Sequence, residues 1–318
     1  MKYFHIILLF IASANVLFGQ NTGLATAKKQ FEQKNYQKVI TLLGDNQTTD
    51  IQALALLGKS HFHLKQPKKA ITYFRKATEL DSQSAELQYW LGLAHFTILR
   101  SDIPFNKKSY HAHRVKKTLK TALKLDSSHV GARKELARYY LNAPRIAGGS
   151  IAKAKKHAIT LKKYDKSAGY RLEAAIYFKI EDYEKAEQVY LTIIKEGLAD
   201  ETIYYWLSEV KHLAKDFSKS FDYCQQMMQK YPAYLVGYYQ YAKVAALAKQ
   251  NTDQGIKYAQ FYLTKDPDNQ ASPGNHWVYY RLGTLYQQKE DKTKAQEAFQ
   301  QALKIKPDFK LAQKALKN

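Results

Sequence analysis

The sequence predicts an all-α protein, a solenoid of about eight helix-turn-helix repeats that ends in a short capping helix. A spacing of large, small and aromatic residues recurs at a period of about 34 residues, and no segment has the alternation of a β-strand. One helix pair cannot bury its apolar face alone, so the period indicates pairs stacked on one another. The spacing is clearest in residues 276–309, where it reads Tyr279-x2-Leu282-Gly283-x2-Tyr286, Ala295-x3-Phe299, Ala302 and Pro307.

Each position of this spacing has a physical reason. Gly283 and Ala295 fall where two antiparallel helices cross, and only small side chains let the backbones approach there. The larger residues fill the space around the crossing, and Pro307 ends the second helix because it has no backbone N–H to donate. Gly58 and Gly92 stand at equivalent positions, so we expect them to be buried at crossings of their own.

The spacing divides the chain into consecutive repeats. The third is longer than the others because residues 101–112 are inserted between its helices. This insertion, with Phe105, Tyr110 and His111, is expected to project either as a second contact surface or as a shield over one edge of the groove. No shift in composition marks a boundary, so residues 21–318 are expected to form one domain. The expected repeats are 21–50, 51–84, 85–129, 130–166, 167–200, 201–234, 235–275 and 276–309, followed by a cap at 310–318.

The first twenty residues, 1–20, have the pattern of a secretory signal peptide. Lys2 precedes an apolar run that extends to Phe18 and is shorter than the roughly 20 residues that a membrane-spanning helix needs. Cleavage is expected after Ala14, at an A-x-A pattern, or near Gly19-Gln20. The mature chain is therefore expected to be exported, either to the periplasm or out of the cell.

The chain is strongly basic, with 50 Lys and Arg against 28 Asp and Glu and a formal net charge of +22. An exported basic protein is expected to meet acidic protein segments, anionic glycans or lipid headgroups rather than nucleic acid. The single cysteine, Cys224, allows no internal disulfide. It occupies a core position of a second helix, so we expect a buried, unreactive thiol.

These spacings resemble the tetratricopeptide repeat (TPR) superfamily over nearly all of residues 21–318, most specifically in the second, sixth and eighth repeats. The resemblance implies a right-handed superhelical solenoid whose concave wall, formed by the first helix of each pair, holds a peptide segment of a partner protein. A more local resemblance is to a group of exported bacterial TPR proteins. It is carried by Tyr140-Leu141-Asn142-Ala143-Pro144, Gly148-Gly149-Ser150 and Lys153-Ala154.

Other motifs carry less chemical meaning. Gly148-Gly149 precedes a helix as in a phosphate loop, but the spacing G-x-x-x-x-G-K-[ST] is absent, which favours a rigid turn between helices. His111-x-His113 and His61-x-His63 place their rings about 200° apart on a helix, which disfavours a metal chelate. No nucleophile-and-base or paired-carboxylate arrangement recurs in the sequence, so we expect neither an enzyme nor a cofactor.

The candidate site is the predicted concave wall, where the phase of the first helices collects cations and aromatic rings. Tyr205, Tyr239 and Tyr280 share one offset in three successive repeats, so their rings are expected to form a ladder. Lys and Arg would pair with carboxylates of an acidic extended segment, and the rings would pack its apolar residues. The alternatives are that the rings only fill a tyrosine-rich solenoid, or that a basic surface binds an anionic glycan or membrane. The expected groove residues are Lys59, Tyr89, Lys134, Arg138, Arg171, Tyr205, Tyr239, Lys243, Tyr280 and Arg281.

Overall fold

The computed structural model describes residues 23–44, 48–266 and 273–317. The signal-like segment at 1–20 and most of the loop before the last repeat, at 267–272, lie outside these ranges. Within them every regular element is helical, which confirms the predicted all-α class. No helix of the described ranges is both long enough and apolar enough to cross a membrane.

The helices follow one another as antiparallel pairs. Each helix packs mainly on its neighbours in the sequence, and α13 also packs on α11 and α15. The helices are α1 (23–32), α2 (Tyr36–Leu43), α3 (Ile51–His63), α4 (Pro67–Leu80), α5 (Ala85–Leu99), α6 (Phe105–Leu125), α7 (Val130–Asn142), α8 (Ile151–Leu161), α9 (Lys166–Lys179), α10 (Tyr183–Lys195), α11 (Glu201–Leu213), α12 (Phe217–Lys230), α13 (Val236–Ala248), α14 (Thr252–Lys265), α15 (Asn275–Gln288), α16 (Lys292–Ile305) and α17 (Lys310–Ala315), with a 3₁₀ helix at Arg145–Ala147 between α7 and α8.

The chain divides into two compact units between Gly169 and Tyr170. The first unit contains α1–α8 and the first residues of α9, and the second contains the rest. Buried clusters within the first unit join α3, α4 and α5, for example around Leu57 and Phe74. In the second unit one cluster joins α12–α16, and Tyr262 is fully buried in it. Each unit therefore has an apolar core of its own.

The small residues of the repeat lie where the sequence predicts. Gly58, Gly92 and Gly283 are buried in α3, α5 and α15. A Cβ atom on Gly58 would lie 2.6 Å from the ring of Phe74, and one on Gly283 would lie 2.5 Å from the ring of Phe299. The ring of the second helix therefore occupies the space that a side chain on the first helix would need, and the prediction of buried crossings is confirmed.

A recurrent turn joins the two helices of a pair. In the second repeat Lys65 has a φ of 59°, its N–H donates to the carbonyl of Phe62, and the N–H of Gln66 donates to that of His61. This is the Schellman arrangement that closes the carboxyl end of a helix. The same left-handed conformation, with the same two hydrogen bonds, recurs at four further turns, at Lys34, Glu181, Lys215 and Glu290.

The insertion of the third repeat lengthens a helix. α6 has 21 residues whereas its partner α5 has 15, so the first turns of α6 extend beyond the pair. Phe105 and Tyr110 are 81% and 56% exposed on these turns. Further along, Nδ1 of His111 lies 2.9 Å from Nδ1 of His95 on α5, and Ala112 is buried. The insertion thus projects only at its beginning, because its last residues pack on α5.

The glycine pair between α7 and α8 forms the rigid turn that the sequence predicts. The N–H of Gly149 donates to the carbonyl of Pro144, and a Cβ atom on Gly149 would overlap the carbonyl oxygen of Ala143. The hydroxyl of Tyr139 donates to the carbonyl of Ala147, and the Ser150 side chain caps α8. These contacts account for the conformation of the turn without a bound phosphate.

Candidate functional site

The second unit contains a cavity of about 720 Å³ formed by the first helices α11, α13 and α15. The chain just before α13 and before α15 completes its wall. Its lining consists of Tyr205, Ala233, Tyr234, Leu235, Val236, Tyr239, Lys243, Pro273, Trp277 and Arg281. Four of the expected groove residues, Tyr205, Tyr239, Lys243 and Arg281, therefore surround one cavity. Four aromatic side chains besides a proline give it a largely apolar wall, and the two cations lie within that wall.

Lys243 is held at this wall by a carboxylate. Its Nζ lies 2.5 Å from Oε1 of Glu209 on α11, and both side chains are mostly buried. The amide of Gln240 donates to the same carboxylate oxygen and, over 3.3 Å, to Oγ of Ser208. Since Glu209 already balances the ammonium group, Lys243 is not the available cation that the sequence analysis expected.

Arg281 has a different environment. The centre of its guanidinium lies 5.2 Å from the ring centroid of Tyr280 and 6.0 Å from that of Trp277. It also hydrogen-bonds the side chain of Tyr239, whose pKa is raised by burial and lowered in part by this arginine. The Nε–H of Arg281 is buried without a hydrogen-bond partner, and no carboxylate of the described residues lies within ion-pair distance of it. Among the described residues, the cavity therefore has one cation that no carboxylate balances at ion-pair distance.

A smaller pocket of about 210 Å³ lies between α9, α10 and α11 of the same unit. The rings of Phe178 and Trp206 meet edge to face across 5.3 Å and form its apolar wall. Arg171 forms its polar edge, but the guanidinium is already 2.9 Å from the carboxylate of Asp200. Trp206 directly follows Tyr205 of the larger cavity, with ring centroids 5.3 Å apart, so the two spaces are adjacent on α11.

The predicted ladder of three tyrosines does not form as expected. The ring of Tyr280 packs on Phe299 and Phe309, with centroids 5.9 and 5.6 Å away, because the capping helix α17 brings Phe309 to this end of α15. Tyr205 and Tyr239 do line the same cavity. Tyr239, however, is only 8% exposed and belongs to the core of the second unit, so its ring contributes to packing as well as to the wall.

In the first unit, Glu86 gathers the polar groups around the expected groove residue Lys59. Nζ of Lys59 lies 3.0 Å from the Glu86 carboxylate, the indole N–H of Trp90 donates to it over 2.7 Å, and Nε2 of His129 lies 3.3 Å away. Burial would raise the pKa of Glu86, but the hydrogen bonds from Lys59 and Trp90 outweigh that effect and lower it. The ammonium group of Lys59 is therefore already paired with the carboxylate of Glu86.

The other three expected groove residues of the first unit lie nearby. Tyr89 packs on His129 with ring centroids 4.8 Å apart, and burial raises the pKa of Tyr89 to about 12. Arg138 lies 3.2 Å from the mostly buried carboxylate of Glu135 on its own helix. Lys134 is exposed and has no ion-pair partner in the part of the chain that the structure describes. It is the one expected groove cation of this unit that is available to a ligand.

Neither a metal centre nor a reactive thiol emerges from the structure. Among the described residues, no three His, Cys, Asp or Glu side chains are grouped so that they could hold a metal ion. Cys224 is fully buried, and burial raises the pKa of its thiol to about 12, which confirms the prediction of an unreactive cysteine. His61 and His95 are both buried, at the aromatic core position that the sequence assigned to them.

The internal carboxylates of the two units do not stand out in the sequence. Their partners are 27, 29 and 34 residues away, for Lys59–Glu86, Arg171–Asp200 and Lys243–Glu209. These separations are close to one repeat period. A search of the sequence for a carboxylate about one period away from each first-helix cation could therefore have predicted these ion pairs.

Comparison with known proteins agrees with this architecture. Residues 51–84 and 276–309 each match the family model described as tetratricopeptide repeat. A tetratricopeptide repeat protein from Parabacteroides merdae has 13% identity and a TM-score of 0.57, covering 84% of this chain and 97% of its own. The structure of pilF from Pseudomonas aeruginosa has 16% identity and a TM-score of 0.51, covering 72% of this chain and 97% of its own.

These likenesses concern the fold. No curated protein sequence matches the chain at a significant level. Two segments of the chain therefore match the tetratricopeptide repeat, and the arrangement of helix pairs supports the same superfamily for the fold. Proteins of this class are in general non-enzymatic scaffolds for protein–protein interaction, and the repeats support that general role here.

Proposed function

We propose that this chain is an exported scaffold that binds an acidic, partly apolar peptide segment of a partner protein in the cavity of the second unit. The observation that carries the proposal is Arg281, a cation in a wall of aromatic rings that pairs with no carboxylate of the residues at 23–44, 48–266 and 273–317. A guanidinium held against rings keeps its charge and offers its donors in a fixed plane, which suits a carboxylate.

The charge balance of the cavity supports an anionic ligand group. Lys243 and Arg281 contribute two positive charges, and Glu209 contributes one negative charge. His212 interacts electrostatically with Glu209, Lys243 and Arg281. Burial lowers the pKa of His212, so the imidazole adds no positive charge at neutral pH. The excess of one positive charge in a partly desolvated wall favours a single carboxylate of the ligand.

The smaller pocket supports a second contact with the same segment. Its walls are the rings of Phe178 and Trp206, and Ala175 leaves room between them. An aliphatic or aromatic side chain would bury apolar surface there. Since Tyr205 and Trp206 border the two spaces side by side, an extended segment could place its carboxylate at Arg281 and an apolar side chain in the smaller pocket.

The test is the binding of short fluorescent peptides that combine Glu with Phe or Leu at varied spacing, measured by anisotropy. Arg281→Gln is expected to weaken binding at least about tenfold at low ionic strength, and the difference should shrink at ~0.3 M salt because screening weakens charge pairs. Lys195→Gln, an exposed charge on α10, is the matched control and should bind as the wild type does.

Equal affinities of the wild type and Arg281→Gln would overturn the proposed site. A peptide set in which Glu can be replaced by Gln without loss would overturn the acidic character of the ligand. Export has a separate test, because it rests on the signal-like sequence alone: amino-terminal sequencing of the protein recovered outside the cytoplasm should begin after Ala14 or near Gly19-Gln20. Recovery of the uncleaved chain only in the cytoplasm would contradict export.

A further inference from the structure

The positive charge of the first unit is concentrated on two second helices. α6, α8 and the 3₁₀ helix between α7 and α8 contain eleven Lys and Arg residues and no Asp or Glu. Lys117, Lys120 and Lys124 of α6 are exposed, and their spacing places them in one stripe along the helix. Lys156 is exposed on α8 in the same way. This surface has no acidic residue of its own that could neutralise it.

A hydrogen bond links α6 to the turn that leads into α8. Nζ of Lys116 on α6 donates over 3.0 Å to the carbonyl of Ala147, in the turn that leads into α8. Further along, His157 of α8 is held at a low pKa, about 4, by burial and then by Arg133, Lys156 and Lys120 of α6. The lysines of the two helices therefore belong to one continuous positive surface.

Large apolar side chains are exposed on the same elements. Ile146 is 93% exposed in the turn, directly before the carbonyl that Lys116 contacts, and Ile159 is 61% exposed on α8. Phe105 is 81% exposed at the start of α6, followed closely by Lys107 and Lys108. Exposed apolar side chains among lysines match an anionic lipid surface, where cations meet phosphates and apolar groups reach the acyl boundary.

We propose that α6, α8 and the turn between α7 and α8 form a surface that binds the headgroup region of an anionic lipid bilayer. This surface is independent of the peptide cavity, which lies in the other unit. A soluble polyanion such as a glycan would use the lysines in the same way, but it offers no apolar phase to Phe105, Ile146 and Ile159. The apolar side chains therefore decide between the two kinds of partner.

The experiment is co-sedimentation with vesicles of phosphatidylglycerol mixed with phosphatidylcholine, and with vesicles of phosphatidylcholine alone. The wild type is expected to bind only the anionic vesicles. The variant with Lys117→Gln, Lys120→Gln and Lys124→Gln should lose about 100-fold in partition coefficient, since each basic residue near an anionic surface contributes roughly a fivefold factor. The control with Lys304→Gln, Lys310→Gln and Lys314→Gln removes the same charge from exposed positions of the second unit and should bind nearly as the wild type does.

A second pair of substitutions tests the apolar contribution. Phe105→Ser with Ile146→Ser should weaken binding to anionic vesicles and leave retention on a heparin column unchanged, and circular dichroism should show that the helices are intact. Equal losses in the two lysine variants would overturn the proposal, because the attraction would then depend on net charge alone. Vesicle binding that is unaffected by the serine substitutions would overturn it in favour of a soluble polyanion.

Discussion

Gly283 sets the distance between two helices by having no side chain. A Cβ atom there would lie 2.5 Å from Cε1 of Phe299, and Phe299 is fully enclosed, so the ring has little room to move. We expect Gly283→Leu to lower the free energy of unfolding by more than about 2 kcal/mol through overpacking. Urea denaturation measures this, with Gly23→Leu as the control, since nothing lies within 4 Å of a Cβ at Gly23. Equal stabilities would contradict the crossing.

The pair of His95 and His111 makes stability depend on pH. Burial, then His111 and Arg114, lower the pKa of His95 to about 3, and Lys68 adds to the lowering of the pKa of His111 after burial. An unfolded histidine has a pKa of about 6.5, so between these values the unfolded chain binds more protons than the folded one. The free energy of unfolding should therefore fall as the pH falls from about 6.5 towards about 3.

Chemical denaturation at a series of pH values measures this dependence. His95→Phe keeps a ring in the core and removes the buried imidazole, so its free energy of unfolding should vary less with pH over the same window. His113→Gln, at an exposed position of α6, is the control and should keep the slope of the wild type. A slope that His95→Phe leaves unchanged would show that other groups, such as the buried His157, carry the dependence.

At the scale of the elements, ion pairs join one first helix to the next. The mostly buried carboxylate of Glu209 on α11 forms an ion pair with Lys243 and accepts a hydrogen bond from the amide of Gln240, and both of these residues lie on α13. Glu209→Gln would leave that ammonium group without its counter-charge, and we expect a loss of about 3 kcal/mol in the free energy of unfolding. The same substitution raises the charge of the cavity, so the affinity for a Glu-containing peptide should rise.

Denaturation and anisotropy on one variant measure both effects. Asp253→Asn is the control for stability, because that carboxylate pairs with Lys289 at an exposed position where ion pairs contribute little. A Glu209→Gln protein with unchanged stability would contradict the role of this pair in docking α11 on α13. Weaker peptide binding by the variant, once folding is verified, would contradict the electrostatic account of the cavity.

The helices were predictable from the sequence, but the partners of their polar side chains were only partly so. Period and residue size fixed the glycine crossings and the buried histidines, because both depend on position within one repeat. The partner of Lys243 depends on the side-chain directions of two helices one period apart. Tyr280 shares its offset with Tyr205 and Tyr239, but it is in the last repeat and meets Phe309 of the cap, where the other two meet a further repeat.

At the scale of the whole molecule, the chain has two compact units with separate cores. α9 begins at Lys166 and continues across the division, and no change in composition accompanies it, so the sequence pattern gave no sign of the boundary. The buried clusters around Ile193, Tyr262 and Phe299 are formed entirely by residues after Gly169. A unit that contains apolar clusters of its own should be stable by itself.

We therefore expect the fragment 166–318 to fold independently. Thermal unfolding followed by circular dichroism should show a cooperative transition, and the fragment should bind Glu-containing peptides with an affinity close to that of the whole chain. Arg281→Gln within the fragment is the control for specific binding. A fragment without a cooperative transition would contradict the independence of the second unit.

The recurrent turn within the repeats has a consequence for protein engineering. Lys34, Lys65, Glu181, Lys215 and Glu290 all adopt a left-handed conformation that glycine tolerates better than any other residue. Replacing Lys65 by Gly should raise the melting temperature, with a gain of about 0.5–1 kcal/mol after the entropy of the added glycine is subtracted. The five sites lie in separate turns, so the gains should add. Glycine substitutions at these turns should therefore raise the thermostability of the protein stepwise, one repeat at a time.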